Sequence, residues 1–210
     1  MKKTLLQVRD LDIGHKENKL YTSVCFDINE GDCIMLCGAN GSGKTTLMKA
    51  LAQNSDLICM IPTRIPKVKG FTTEEFIKLG CDGHDVKEAA ETLGLSKLLS
   101  QDISTLSDGE FQKACIAIAL AKKSSILLLD EPTAFLDAEN RRTVMHCLKR
   151  LCKTDSPAPA VIFSTHELLE AQSVCNKVIA LGADGIFRCT DTDIAGAVDT
   201  IFSSFKRDWI

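Results

Sequence analysis

The run Cys33-Ile34-Met35-Leu36-Cys37 is apolar throughout and passes without a break into Gly38-Ala39-Asn40-Gly41-Ser42-Gly43-Lys44-Thr45. An apolar segment with no polar alternation is buried on both faces, as a central parallel strand is. After the glycines, Thr45 to Leu51 favours helix. Strand, glycine turn and helix in that order direct the chain to a layered α/β architecture. The turn itself has the spacing G-x-x-x-x-G-K-[ST]. Its glycines let successive backbone N–H groups curl inward, and the helix N-terminus adds partial positive charge, so a polyphosphate is solvated by the protein there. On this reading Gly38, Asn40, Gly41, Ser42, Gly43, Lys44, Thr45 and Thr46 are the candidate nucleotide contacts. Lys44 would reach the β- and γ-phosphates, and the Thr45 hydroxyl would ligate Mg²⁺.

The remaining elements follow from periodicity and turn chemistry. Val24, Phe26 and Ile28 alternate with Ser23, Cys25 and Asp27, and Asn29-Glu30-Gly31-Asp32 closes that strand with a turn. From about Pro62 to Ala121 the chain reads as mostly helical. Val86, Ala89, Ala90 and Leu93 recur at helical spacing before Gly94, a helix stop. Phe111, Ala114, Cys115 and Ile118 do the same after Ser107-Asp108-Gly109-Glu110, an S-x-x-E capping box. A helix carrying Val144, Leu148, Leu151 and Cys152, a buried strand Val161-Ile162-Phe163 and a helix from about Glu167 come next. Val178 to Leu181 and Ile186 to Cys189 flank Ala183-Asp184-Gly185 as a hairpin.

Ile126-Leu127-Leu128-Leu129 is a further buried strand and ends on Asp130-Glu131. A strand of this kind delivers acidic side chains at its C-terminal edge, where the phosphate loop of a neighbouring strand also lies. Asp130 is expected to bind the magnesium through water, and Glu131 to polarise the water that attacks the γ-phosphorus.

With 210 residues, 45% hydrophobic and 25% charged, the chain is long enough for one compact domain with a real core. Its net charge of -3 gives no electrostatic footprint for nucleic acid, so no nucleic-acid partner is expected. No apolar run approaches the roughly 20 residues that span a bilayer, and Gln7, Arg9 and Asp10 interrupt any signal-peptide core. A cytoplasmic protein is expected. The ten cysteines are scattered without a C-x-x-C pair and read as small buried thiols.

The phosphate loop, Leu106-Ser107-Asp108-Gly109-Glu110, Leu129-Asp130-Glu131-Pro132, Phe135-Leu136-Asp137 and Ser164-Thr165-His166, in that order, resemble the nucleotide-binding subunits of ABC transporters over essentially the whole chain. The resemblance implies a P-loop NTPase fold of the ABC type: α/β, with a parallel sheet, an antiparallel β-lobe and a helical subdomain. The core would comprise 1–61 and 122–210, and the helical subdomain 62–121. Only Leu47 to Met60 separates the phosphate loop from the next strand, so the β-lobe is expected to be reduced. ATP and Mg²⁺ are the implied cofactors. The implied assembly is a head-to-tail homodimer with ATP between its subunits, docked on an integral membrane permease and served by a substrate-binding protein.

By position, Ser107 and the Gly109 amide would contact the γ-phosphate across the dimer. Asp137 would link the two sites, and His166 would orient the attacking water together with Glu131. The resemblance also places an adenine-stacking side chain after Gly14, where His15 stands, with Tyr21 as a weaker candidate. Three departures stand out. Asp108 and Glu110 replace a glycine and a glutamine of the signature, and Thr63 occupies the position of the glutamine that follows the strand Ile58 to Ile61. The two acids are expected to oppose closure on phosphate by like-charge repulsion, while favouring the helix start. Within the family the motifs look most like importers of iron-siderophore, haem or cobalamin complexes. An exporter subunit and a nucleotide-dependent scaffold or regulator stand as the alternatives.

Overall fold

The computed structural model describes residues 2–15, 18–53, 57–81, 86–153, 157–182, 187–192 and 194–196. Two long strands come first, β1 (Thr4–His15) and β2 (Asn18–Asn29), paired antiparallel in a sheet of their own. The expected alternation holds in β2, where Val24, Phe26 and Ile28 are buried and Cys25 is exposed. This two-stranded sheet is the reduced antiparallel lobe.

The strands β3 (Cys33–Gly38), β4 (Ile58–Ile61), β5 (Ile126–Leu129), β6 (Ala160–Ser164), β7 (Lys177–Leu181) and β8 (Phe187–Thr190) form a second sheet in the order β4-β5-β6-β3-β7-β8. Every neighbouring pair is parallel except β7 with β8. The antiparallel edge is the hairpin read from the sequence; its turn at 183–186 lies outside the described residues. Parallel strands covered on both faces need apolar residues at successive positions, and β3, β5 and β6 are buried along almost their whole length.

Among the described residues six α-helices run between the strands: α1 (Lys44–Ala52), α2 (Thr73–Gly80), α3 (Val86–Thr92), α4 (Asp108–Ala121), α5 (Ala138–Leu151) and α6 (Leu168–Gln172). Capping boxes start α2, through Thr72 and Glu75, and α4, through Ser107 and Glu110, while Asp137 caps α5 by accepting from the Asn140 N–H. Gly94, with φ of 71°, follows α3 and stops it. The stretch 62–72 holds no helix. Pro62 and Pro66 explain this departure from the helical reading, since each removes an N–H donor and disfavours helix in the residue before it.

The six-stranded sheet divides the core in two. Met35, Leu127, Leu129, Phe163 and Val178 face a cluster shared with α2 to α5. Ile34, Leu36, Leu128, Ile162 and Ile179 face α1 and the β1–β2 sheet. Leu47, Met48 and Leu51 carry α1 into that second cluster, each contributing about 1.5–3 kcal/mol by burial. The glycine loop is thereby clamped between a rigid strand and an anchored helix. All ten cysteines keep their thiols outside any disulfide; Cys25 is exposed, Cys59, Cys175 and Cys189 are half-buried, and the other six are buried. Among the described residues no helix is long and apolar enough to cross a membrane.

Candidate nucleotide site

The C-terminal ends of β3, β5 and β6 lie side by side, because β6 stands between the other two. The loops that leave these three ends carry most of the residues singled out in the sequence. Ligands of open α/β sheets bind at this edge.

The loop after β3 is shaped around its own backbone. Gly38 has no room for a Cβ, which would fall 2.5 Å from Ser42 Oγ and 2.6 Å from the Leu181 carbonyl oxygen. Gly43 caps α1 with φ of 96°, a left-handed conformation that glycine adopts without penalty. Lys44 Nζ donates to the carbonyls of Gly38, at 2.9 Å, and Ala39, at 3.1 Å, folding its side chain over the loop. Burial lowers its pKa from the usual lysine value, against the attraction of Glu131 and Asp130. Ser42 Oγ is buried with no hydrogen-bond partner. A buried hydroxyl without a partner is costly, and this one lies inside the glycine loop, against Gly38. Asn40 and Thr45 are exposed at the mouth, and Thr46 is half-buried.

Opposite the loop, Asp130 is buried, and its Oδ2 accepts from the Thr45 hydroxyl at 2.8 Å. Its Oδ1 accepts from Ser164 Oγ at 2.8 Å, and Ser164 Oγ in turn accepts from the Glu131 N–H at 2.7 Å. Glu131 has φ of 50°. Its Oε1 lies 2.8 Å from His166 Nε2, which donates to it, because a carboxylate only accepts. Thr45, Asp130, Glu131 and His166 are thus brought into one hydrogen-bonded chain with Ser164 at its centre. A hydroxyl and a carboxylate are the oxygen donors a magnesium ion takes alongside water and substrate phosphates, so Thr45 and Asp130 fit that ion. Among the described residues no cluster of three or more His, Cys, Asp or Glu side chains is arranged for a metal without such help.

Ser107, Gly109 and Asp137 form a second, separate group at the start of α4 and α5. The Ser107 hydroxyl and N–H both donate to Glu110, and the hydroxyl accepts from the Glu110 N–H. These bonds hold the Glu110 carboxyl below the ordinary glutamate range. Gly109 is buried against α5: a Cβ there would lie 2.3 Å from Asn140 Oδ1. Asn140 also donates to Asp137 through its N–H, at 2.8 Å, and its side-chain amide, at 2.9 Å. The two acids at the tip of α4 do not stand as bare charges. Glu110 is taken into the capping box, and Asp108 pairs with Lys67, whose Nζ lies 2.7 Å from Asp108 Oδ1 and 2.8 Å from the Leu106 carbonyl oxygen.

For adenine stacking the structure offers less. His15 ends β1 and pairs with Asn18 through the backbone, but its side chain lies outside the described residues. Tyr21 is 4% exposed and its hydroxyl donates to the Gly182 carbonyl, so its ring face is not open for stacking. Thr63 is half-buried in a groove of about 460 Å³ lined also by Pro66, Phe111, Gln112 and Phe135. Phe135 is 70% exposed on one side and has the Arg64 guanidinium 4.8 Å over its ring. The sequence reading quoted Ser164 only within the Ser164-Thr165-His166 motif, without a task of its own, and gave no part to Asn140 or Lys67. Ser164 meets Asp130 and Glu131, and Lys67 meets Leu106 and Asp108, across long stretches of chain that no local spacing marks. Asn140 packs against Gly109 of another helix, and its bond to Asp137 is local.

The ABC transporter family model matches residues 21–59 and 60–134. Translation initiation factor Rli1 of Schizosaccharomyces pombe is 32% identical, over 72% of this chain and 26% of its own length. The cobalamin import ATP-binding protein BtuD of Halobacterium salinarum is 27% identical, over 95% of this chain and 58% of its own. The chain therefore spans less than two thirds of either of these relatives. A metal-chelate type ABC transporter solved in an inward-facing conformation superposes with a TM-score of 0.83 at 24% identity, over 96% of this chain and 90% of the other. That likeness is one of fold.

Proposed function

The chain belongs to the ABC transporter family and carries its ATP-hydrolysing core, and from that premise we propose that it is the subunit that binds and hydrolyses ATP to drive a membrane transporter. The observation that carries this reading is the hydrogen-bonded chain from Thr45 through Asp130 and Ser164 to Glu131 and His166 beside the phosphate loop. In the proposed mechanism the loop amides and Lys44 hold the β- and γ-phosphates, with Lys44 exchanging the carbonyls of Gly38 and Ala39 for phosphate oxygens. Asn40, Gly41, Ser42 and Thr46 line the cradle, and the Ser42 hydroxyl gains a partner there. Thr45, and Asp130 through water, would hold Mg²⁺, which would neutralise charge on the phosphates. Glu131 accepts the proton of the attacking water, and His166 fixes the carboxylate that does so. Positioning and electrostatics supply most of the rate in such a transfer.

Ser107 and the Gly109 amide, at the N-terminus of α4, are proposed to close on the γ-phosphate of a second copy, with Asp137 linking the two sites. A helix end of this kind is an anion site. Residues 1–61 with 122–210 act as the nucleotide-binding core and 62–121 as the helical arm. The working unit is a head-to-tail homodimer on the cytoplasmic side of a permease. We favour import, with a metal-chelate or corrinoid complex of the siderophore, haem or cobalamin kind as cargo, delivered by a substrate-binding protein. The likeness to the halobacterial cobalamin import protein supports this direction. The likeness to Rli1 supports the second reading, a nucleotide-driven scaffold with no transport partner.

Glu131→Gln tests the mechanism. The variant should bind ATP as the parent does, lose hydrolysis, and elute with ATP as a dimer in size-exclusion chromatography. Normal hydrolysis by the variant removes Glu131 from its assigned task. With the permease present, a loaded binding protein should accelerate hydrolysis; equal acceleration by an unrelated binding protein refutes import.

A further inference from the structure

We propose that Ser164 is a positioning residue for hydrolysis, whose single hydroxyl sets both the metal-side carboxylate and the backbone of the residue that activates water. The proposal rests on the ATPase reading of the site and adds to it a fully buried residue to which the proposed mechanism gave no task.

Ser164 closes β6, the strand between the one that ends in the phosphate loop and the one that ends in Asp130. It pairs with Leu36 of β3 and follows Phe163, which pairs with Leu129 of β5. Its side chain is fully buried. A serine hydroxyl has one proton to give, and here that proton goes to Asp130 Oδ1 while the oxygen accepts the Glu131 N–H. With Oδ1 engaged, Asp130 turns Oδ2 toward Thr45. With its N–H engaged, Glu131 is held at φ of 50°, a conformation that a residue with a side chain keeps only when its surroundings fix it.

Two positions further on, His166 meets the other end of the same residue, at Glu131 Oε1. The end of β6 therefore grips Glu131 twice, by its amide and by its carboxylate. Through two hydrogen bonds the Ser164 hydroxyl joins Asp130, on the metal side, to the main chain of Glu131.

The test uses the full chain with Ser164→Ala and the equal-shape pair Ser164→Thr and Ser164→Val, which differ in the hydroxyl. Four quantities are read: steady-state ATP hydrolysis, affinity for a fluorescent ATP analogue in EDTA, Mn²⁺ affinity in the presence of ADP by electron paramagnetic resonance, and melting temperature. Ser164→Ala should lower kcat by about 10–100-fold with KM and the EDTA affinity changed by less than about threefold. Ser164→Thr should exceed Ser164→Val by about tenfold in kcat and in Mn²⁺ affinity.

A kcat for Ser164→Ala within about twofold of the parent overturns the proposal, as do equal values for Thr and Val. A fall in EDTA affinity as large as the fall in kcat also overturns it, since the hydroxyl would then be holding the loop and not aiming the carboxylates. Should the parent chain hydrolyse no ATP, the functional reading fails by itself. The Mn²⁺ affinities of the Thr and Val variants with ADP then decide the positioning proposal, and a parent that binds no Mn²⁺ with ADP sinks both.

Discussion

Gly109→Ala separates the folding of the α4 tip from its proposed work. The added methyl would stand 2.3 Å from Asn140 Oδ1, 2.8 Å from its Cγ and 3.1 Å from its Cβ, and ordinary contact begins at 3.4 Å, so something must move by about 1 Å. If Asn140 swings aside, the bond from its side-chain amide to Asp137 is lost, costing about 0.5–1.5 kcal/mol, and an off-rotamer side chain adds about 0.5–1.5 kcal/mol. Replacing glycine by alanine in a helix returns up to about 1 kcal/mol. The net destabilisation is about 0–3 kcal/mol, and for a chain of this length each kcal/mol lowers the melting temperature by about 2–4 °C. The fold should survive with a melting temperature at most about 12 °C lower.

Hydrolysis should respond more strongly. A misplacement of about 1 Å between the α4 tip and Asp137 is expected to slow it by about a hundredfold. Adding Asn140→Gly to Gly109→Ala removes the obstruction and should restore most of the rate. Melting by circular dichroism and a coupled ATPase assay on the full chain read both effects. Hydrolysis by Gly109→Ala at the parent rate, or no recovery in the double variant, refutes the reasoning.

Lys44→Ala removes the cation folded over the loop. The chain should stay folded while tight ATP binding disappears, and unchanged affinity by equilibrium dialysis would dismiss the phosphate-cradle reading. Glu110→Gln keeps the shape of the capping box and removes its charge. ATP-driven dimerisation should strengthen in the Glu131→Gln background, and sedimentation velocity that shows equal or weaker association would mean that the charge does not oppose closure. The same carboxyl gives a pH dependence. Its folded pKa is depressed by the Ser107 hydroxyl and N–H, so its contribution is present above the ordinary glutamate range and is lost as pH falls through the folded value. Measured against the intrinsic rate at each pH, amide exchange at the α4 N-terminus should lose protection on acidification in the parent and not in Glu110→Gln.

The stretch 33–52 was legible in the sequence because every constraint on it is local: an unbroken apolar strand, glycines in a tight turn, and helix formers after them. The capping box at Ser107 and the acids at the end of β5 were legible for the same reason. What escaped are relations that exist only once the strands are ordered. Ser164 meets Asp130 because β6 lies between β5 and β3, an order no periodicity reveals. Lys67 and Asp108 meet because the stretch without helix at 62–72 runs past the start of α4. The helical reading of that stretch missed the conformational limits set by Pro62 and Pro66. The like-charge argument at the α4 tip counted the Asp108 carboxylate without Lys67, which pairs with it, and leaves the Glu110 charge, kept ionised by the Ser107 bonds, as the one to test.

The distribution of thiols carries a practical consequence. Thiolate, not thiol, is the species that attacks an electrophile, and burial pushes Cys37 and Cys115 up to about 12. Cys25, on the outer side of β2, is the exposed one of the ten. A maleimide dye should therefore attach there first in the unaltered chain, giving a built-in donor–acceptor energy-transfer test of the proposed pairing of two copies.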